Sequence, residues 1–126
     1  MIRDVGTDLC DVERLALAVR RTGERFLARV FTEAERRAAA ASGREDAELA
    51  RRFAVKESAF KVLGRGWPHG VGFDEVELDE TGPGPASVRL SGAAARRAAE
   101  RGLGRLHAAA TDDGRLAFAI VVAESR

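Results

Sequence analysis

Asp8, Glu57 and Lys61 are the side chains whose type and placement could do chemistry. Glu57 lies in the stretch Glu45 to Leu63, the longest helical pattern in the chain. At ~100° per residue, Leu49, Phe53 and Phe60 fall within about 40° of one another, with Ala50 and Ala54 beside them. Glu57 falls inside this apolar sector, between Phe53 and Ala50, and Lys61 lies one turn beyond at its edge. A carboxylate on a buried stripe is costly unless it is paired or binds a metal. One reading is a Glu57–Lys61 pair at i,i+4, worth only ~0.3–0.5 kcal/mol when exposed; the other is a ligand. Asp8 ends an apolar strand after Gly6-Thr7, where a side chain can project from a sheet edge. It can also be read as a helix N-cap, although Asp11 suits that role better because it immediately precedes the periodic residues. Asp8 and Glu57 together supply two hard oxygen ligands. Magnesium commonly takes one or two carboxylates, several waters and a substrate phosphate. With a nearby lysine and the glycine-rich stretch GRGWPHG at 64–70, the pattern points to phosphate chemistry.

The elements that must position these groups are legible in outline. Residues 2–8 read as a strand, and 12–21 as a helix with Val12, Leu15, Ala16 and Val19 on one face. Thr32 and Glu35 form a capping-box signature opening a helix through Ala41. Gly64 ends the long helix. The period then shifts to two: Val76 and Leu78 alternate with acidic residues, TGPGP at 81–85 turns, and Val88 and Leu90 mark a second strand. A short helix over 93–101 closes at Gly102. A strand over 106–111, a turn at Asp112-Asp113-Gly114, and a strand over 116–123, apolar on both faces, complete the chain. Helices come first and strands later, so the expectation is one α+β domain over residues 1–126, an antiparallel sheet packed against a long helix.

Composition narrows the class. At 45% hydrophobic and 33% charged residues, the balance is globular. No apolar run approaches the ~18 residues of a membrane span, and the N-terminus has no secretory pattern. A single cysteine, Cys10, forms no internal disulfide, which fits a reducing, cytoplasmic setting. Of 21 basic residues only Lys56 and Lys61 are lysine, yet the net charge is +1, which argues against a nucleic-acid binder.

Three segments carry a family resemblance. GTDLCDVERL at 6–15 resembles the GxDxxxxxR opening of holo-(acyl-carrier-protein) synthases, short 4′-phosphopantetheinyl transferases. RRFAVKESAFKVLGRG at 51–66 resembles their RFAxKEAxxKAxGxG helix and loop, the more specific motif. FDEVELDETGPGPASVRLSG at 73–92 is similar to their strand, G-x-P turn and second strand. The resemblance implies the phosphopantetheinyl transferase-like fold and transfer of 4′-phosphopantetheine from coenzyme A to a serine of an apo acyl carrier protein. It implies Mg2+ held by Asp8 and Glu57, with Lys61 beside it to bind a phosphate or assist proton transfer. Arg52 matches a basic residue near the coenzyme A nucleotide, and Gly64, Arg65 and Gly66 match the loop that closes over it. His107 and Thr111 lie in the strand expected near the nucleotide, Arg14 and Arg25 match residues that receive the carrier protein, and Arg21 lies between them. The family's short members assemble as homotrimers with active sites between subunits.

One segment departs from the pattern. The family strand H-x-S-x-S-H stands here as HAAATD, His107 to Asp112. An aspartate in the last position repels a nucleotide phosphate unless a cation intervenes; alternatively it turns into the hairpin and never faces the ligand. This departure raises one rival, a degenerate paralogue that binds carrier protein without efficient transfer; a second rival, independent of it, is a metal-dependent phosphohydrolase on the same scaffold.

Overall fold

The computed structural model describes residues 1–64 and 70–126. Strand β1 (Ile2–Asp11) runs directly into helix α1 (Val12–Thr22). The joint is capped by Asp11, whose Oδ1 accepts from the Arg14 amide at 3.0 Å, so Asp8 is left free of the capping role. Gly23, at φ 63°, ends α1 and starts a short helix α2 (Glu24–Val30) that the sequence reading did not anticipate. A helix of seven residues gives too little periodicity to show in the sequence. Helix α3 (Glu33–Ala41) opens with the expected capping box of Thr32 and Glu35. Then come α4 (Glu45–Leu63), a single 3-10 turn at Phe73–Glu75, strands β2 (Val76–Asp79) and β3 (Ser87–Leu90), helix α5 (Gly92–Glu100), and strands β4 (Leu103–Asp112) and β5 (Leu116–Ser125).

The strands form one antiparallel sheet in the order β1-β5-β4-β3-β2, with the first strand paired to the last. Fold class and antiparallel pairing therefore match the sequence expectation. Helix α4 lies on the inner face of the sheet against β1, β5 and β4, and α1, α3 and α5 touch its other sides. It is consequently buried around most of its circumference rather than along one stripe, and even Arg52, Lys56 and Ser58 are buried.

Small residues let α4 approach closely. A Cβ on Gly6 would stand 2.1 Å from the Ser58 carbonyl oxygen, so only glycine fits there. Opposite, β5 turns Ala117, Ala119, Val121 and Ala123 inward, all buried. Its other face, with Leu116, Phe118, Ile120 and Val122, is exposed or half-buried.

Candidate active site

The close packing at Gly6 sets the site. Two residues on, Asp8 points to the same inner face of β1 and meets Glu57 from α4. The two carboxyl groups hydrogen-bond each other. Glu57 is pushed up to about 7, first by burial, then by the charge and hydrogen bond of Asp8, with Lys61 pulling the other way. Adjacent carboxylates in a half-buried site cannot both carry uncompensated charge; they share a proton or hold a cation. Lys61 Nζ donates to the Thr7 carbonyl at 2.7 Å and to Asp8 Oδ1 at 3.2 Å. Its ion pair is thus across to β1, not along the helix to Glu57.

The donor set suits a hard divalent cation. Among the described residues no group of three or more His, Cys, Asp or Glu gathers as a ready metal cage. Magnesium commonly takes one or two carboxylates and completes its shell with waters and a substrate phosphate. Cys10, one turn of the pleat beyond Asp8, supplies no soft ligand, because burial and the neighbouring Glu57, Asp8 and Asp11 push its thiol up to about 12.

The other expected site residues fall elsewhere. Arg52 is buried; its guanidinium pairs with Glu48 at 2.5 Å and Glu80 at 3.7 Å. Its Nε has no hydrogen-bond partner among the described residues. Gly64 ends α4 with φ 177°, an extended conformation open to any residue. What glycine supplies there is space, since a Cβ would lie 3.3 Å from an Arg97 guanidinium nitrogen. Arg65 and Gly66 lie outside the described residues. His107 and Thr111 are on the outer face of β4, His107 beside Glu124 at 3.2 Å and Thr111 paired in register with Phe118. Within one chain neither residue reaches the inner face that carries Asp8 and Glu57. Arg14 and Arg21 are exposed on α1, but Arg25 belongs to α2, beyond the Gly23 break, and not to the end of the first helix. Arg25 lines an open cavity of about 620 Å³ with Phe26, Arg29 and Phe73.

Asp112 is a turn residue. Its side chain is 4% exposed, pairs with Arg44 at 2.5 Å, and accepts from the Gly114 amide at 3.0 Å. The carboxylate that raised doubt about nucleotide binding is neutralised and spent on the hairpin.

The burial of Lys56, and its pairing with the capping-box residue Glu35, were not legible in the sequence. Lys56 is fully buried and paired with Glu35 at 2.6 Å, and its burial lowers its affinity for a proton while Glu35 raises it. Lys56 sits beside Glu57 in the motif, but nothing in the pattern of a single helix says that it points inward.

Known proteins resemble this chain along its whole length. The family model of the 4′-phosphopantetheinyl transferase superfamily matches residues 4–120. A holo-[acyl-carrier-protein] synthase of Methylobacterium radiotolerans is 42% identical, covering 99% of this chain and 95% of that protein. The crystal structure of the holo-[acyl-carrier-protein] synthase of Neisseria meningitidis superposes with a TM-score of 0.87 at 28% identity, over 99% of this chain and 100% of the other. The synthase of Bacillus anthracis, crystallised in complex with CoA (3′,5′-ADP), gives 0.75 at 26% identity, over 100% and 99%. With carboxylates from β1 and α4 meeting beneath a lysine, and with these relatives, the chain belongs to the holo-[acyl-carrier-protein] synthase family of the 4′-phosphopantetheinyl transferase superfamily.

Proposed function

We propose that the protein transfers 4′-phosphopantetheine from coenzyme A to a serine of an apo acyl carrier protein, releasing adenosine 3′,5′-bisphosphate, with Mg2+ held by Asp8 and Glu57. The observation that carries this reading is the meeting of those two carboxyl groups across β1 and α4, with Lys61 at their edge. Bound there, Mg2+ supplies positive charge against the diphosphate of coenzyme A. Glu57, beside the cation, is the group that can take the proton of the attacking serine hydroxyl. Lys61, half exposed, can offer its ammonium to a phosphate oxygen of the leaving bisphosphate. The chain's remaining work is to hold the hydroxyl and the β-phosphorus in line.

The resemblance and the surface support a carrier docking face of Arg14, Arg21 and Arg25 and a homotrimer in a cytoplasmic setting. His107 and Thr111 stand on the opposite sheet face from the carboxylates. If both take part in nucleotide binding, a second copy must bring that face to the site. No helix among the described residues is long and apolar enough to cross a membrane.

The test is intact-mass analysis of a panel of apo carrier proteins incubated with the enzyme, coenzyme A and magnesium. The expected result is a carrier heavier by one phosphopantetheinyl group, abolished by chelator. No transfer to any carrier would leave the degenerate-paralogue reading standing, and coenzyme A cleavage without carrier would favour a hydrolase.

A further inference from the structure

We propose that Lys56, together with Glu35, is a positioning residue that fixes the rotation of α4 about its axis and so aims Glu57 at Asp8. This inference rests on the transferase reading above. Lys56 Nζ is inside the protein, and its three protons have three acceptors: Glu35 Oε1 at 2.6 Å, the Phe73 carbonyl at 3.0 Å and the Val76 carbonyl. Glu35 is itself held, accepting from the Thr32 amide at 3.1 Å and the Leu78 amide at 3.2 Å. One ammonium therefore ties α4 to α3, to the 3-10 turn and to β2.

The geometry around the helix gives this tie its consequence. At ~100° per residue, Lys56 stands about 100° to one side of Glu57, and Lys61 about 40° to the other. Lys61 reaches β1 through the Thr7 carbonyl at 2.7 Å. Glu57 is thus flanked by two lysine tethers that pull α4 toward opposite walls. Between Lys56 and Glu57 stand Phe53 and Phe60, whose rings pack on Phe73 with centroids 5.3 and 4.8 Å apart. Lys56 holds the carbonyl of that same Phe73. A slip of α4 about its axis would move Glu57, break the Lys56 contacts and unstack these rings together.

Stability alone does not account for the pair. Replacing a buried ion pair by uncharged groups of similar volume is often neutral or stabilising. What the charged pair adds is direction: a fixed point with three acceptors, which an apolar side chain cannot define.

The test uses the full-length enzyme and two variants. K56M/E35Q removes both charges at similar volume and keeps a side-chain acceptor for the Leu78 amide. E35D keeps both charges paired but shifts the ammonium by about one carbon–carbon bond. Both should melt within a few degrees of wild type. The expected result is a kcat at least tenfold lower for K56M/E35Q and about threefold lower for E35D, with KM for coenzyme A and for carrier changed less than about threefold. Mn2+ binding in the presence of coenzyme A, followed by electron paramagnetic resonance of the free ion, should weaken by about fivefold or more in K56M/E35Q. Folded variants with wild-type kcat and wild-type Mn2+ affinity overturn the inference. A rise in both KM values at unchanged kcat also overturns it, because Lys56 would then be shaping the substrate surface. If wild type transfers to no carrier, the transferase reading fails instead, and the Mn2+ arm still decides the positioning.

Discussion

At the scale of single residues, the proposed chemistry turns on two neighbouring carboxyl groups, of which Glu57 holds its proton up to about pH 7. Asp8→Ala or Glu57→Ala removes half of the donor set and should lower transfer at least 100-fold, about 2.7 kcal/mol of transition-state stabilisation. Single-turnover transfer assays at ordinary magnesium check this, and full activity in both variants would sink the assignment. The same pair predicts how stability depends on pH. Glu57 is raised from 4.5 to about 7 in the folded chain. Between those values the folded state holds a proton that the unfolded chain has released. The contribution is therefore complete below about 4.5 and is lost as pH rises through 7. In chelator, the melting temperature of wild type relative to Glu57→Gln should fall between pH 5 and 8. Magnesium should restore part of it at pH 8, where the cation replaces the proton. A wild-type minus variant difference that is flat with pH would show that the carboxyls are not coupled.

At the scale of elements, the site exists because α4 can lie close on β1. With a Cβ on Gly6 only 2.1 Å from the Ser58 carbonyl, Gly6→Ala must push helix and strand apart. It should cost about 1–3 kcal/mol, typical of overpacking, and should depress transfer more than its loss of stability explains. Urea melts alongside kcat measurements separate the two, and a variant as stable as wild type would mean that the backbone yields without strain. The β4–β5 hairpin makes the opposite case. Asp112 is fastened to Arg44 and to the Gly114 amide, so it faces a cation and a turn. Asp112→His should leave coenzyme A affinity within about twofold of wild type and lower the melting temperature, since it discards a cap and a partly buried ion pair. Calorimetric titration decides, and a distinctly tighter histidine variant would show that the aspartate does face the nucleotide.

At the scale of the whole molecule, one sheet face is covered by α4 and the other is left open. Leu9 is 63% exposed and Phe118 41%, and they are partners in register on β1 and β5. Val5 and Leu116 extend the same apolar face. A contiguous patch of this kind marks an association surface, and the proposed homotrimer would cover it with a second copy. If the proposed homotrimer forms through this face, wild type should scatter as a trimer in multi-angle light scattering, and Phe118→Asp combined with Leu9→Asp should scatter as a monomer and lose transfer. Wild type that scatters as a monomer at working concentration would contradict the assembly.

What the sequence determined by itself was local. Glycine breaks, the Thr32–Glu35 capping box, the period-two alternation at Val76 and Leu78, and the Asp-Asp-Gly turn each act within a few residues, so they survive without tertiary context. The apolar sector of the long helix singled out Glu57, and the strand end after Gly6-Thr7 singled out Asp8. Two decisions belonged to the tertiary structure. Whether Lys61 pairs with Glu57 along the helix or with Asp8 across to β1 depends on how near the strand lies, which Gly6 settles through packing. The outward or inward sense of Lys56 and Asp112 depends on acceptors and cations far away in sequence: Glu35 for one, Arg44 for the other. A buried charge is tolerated only where a distant partner meets it, and a periodic pattern of apolar residues carries no record of that partner.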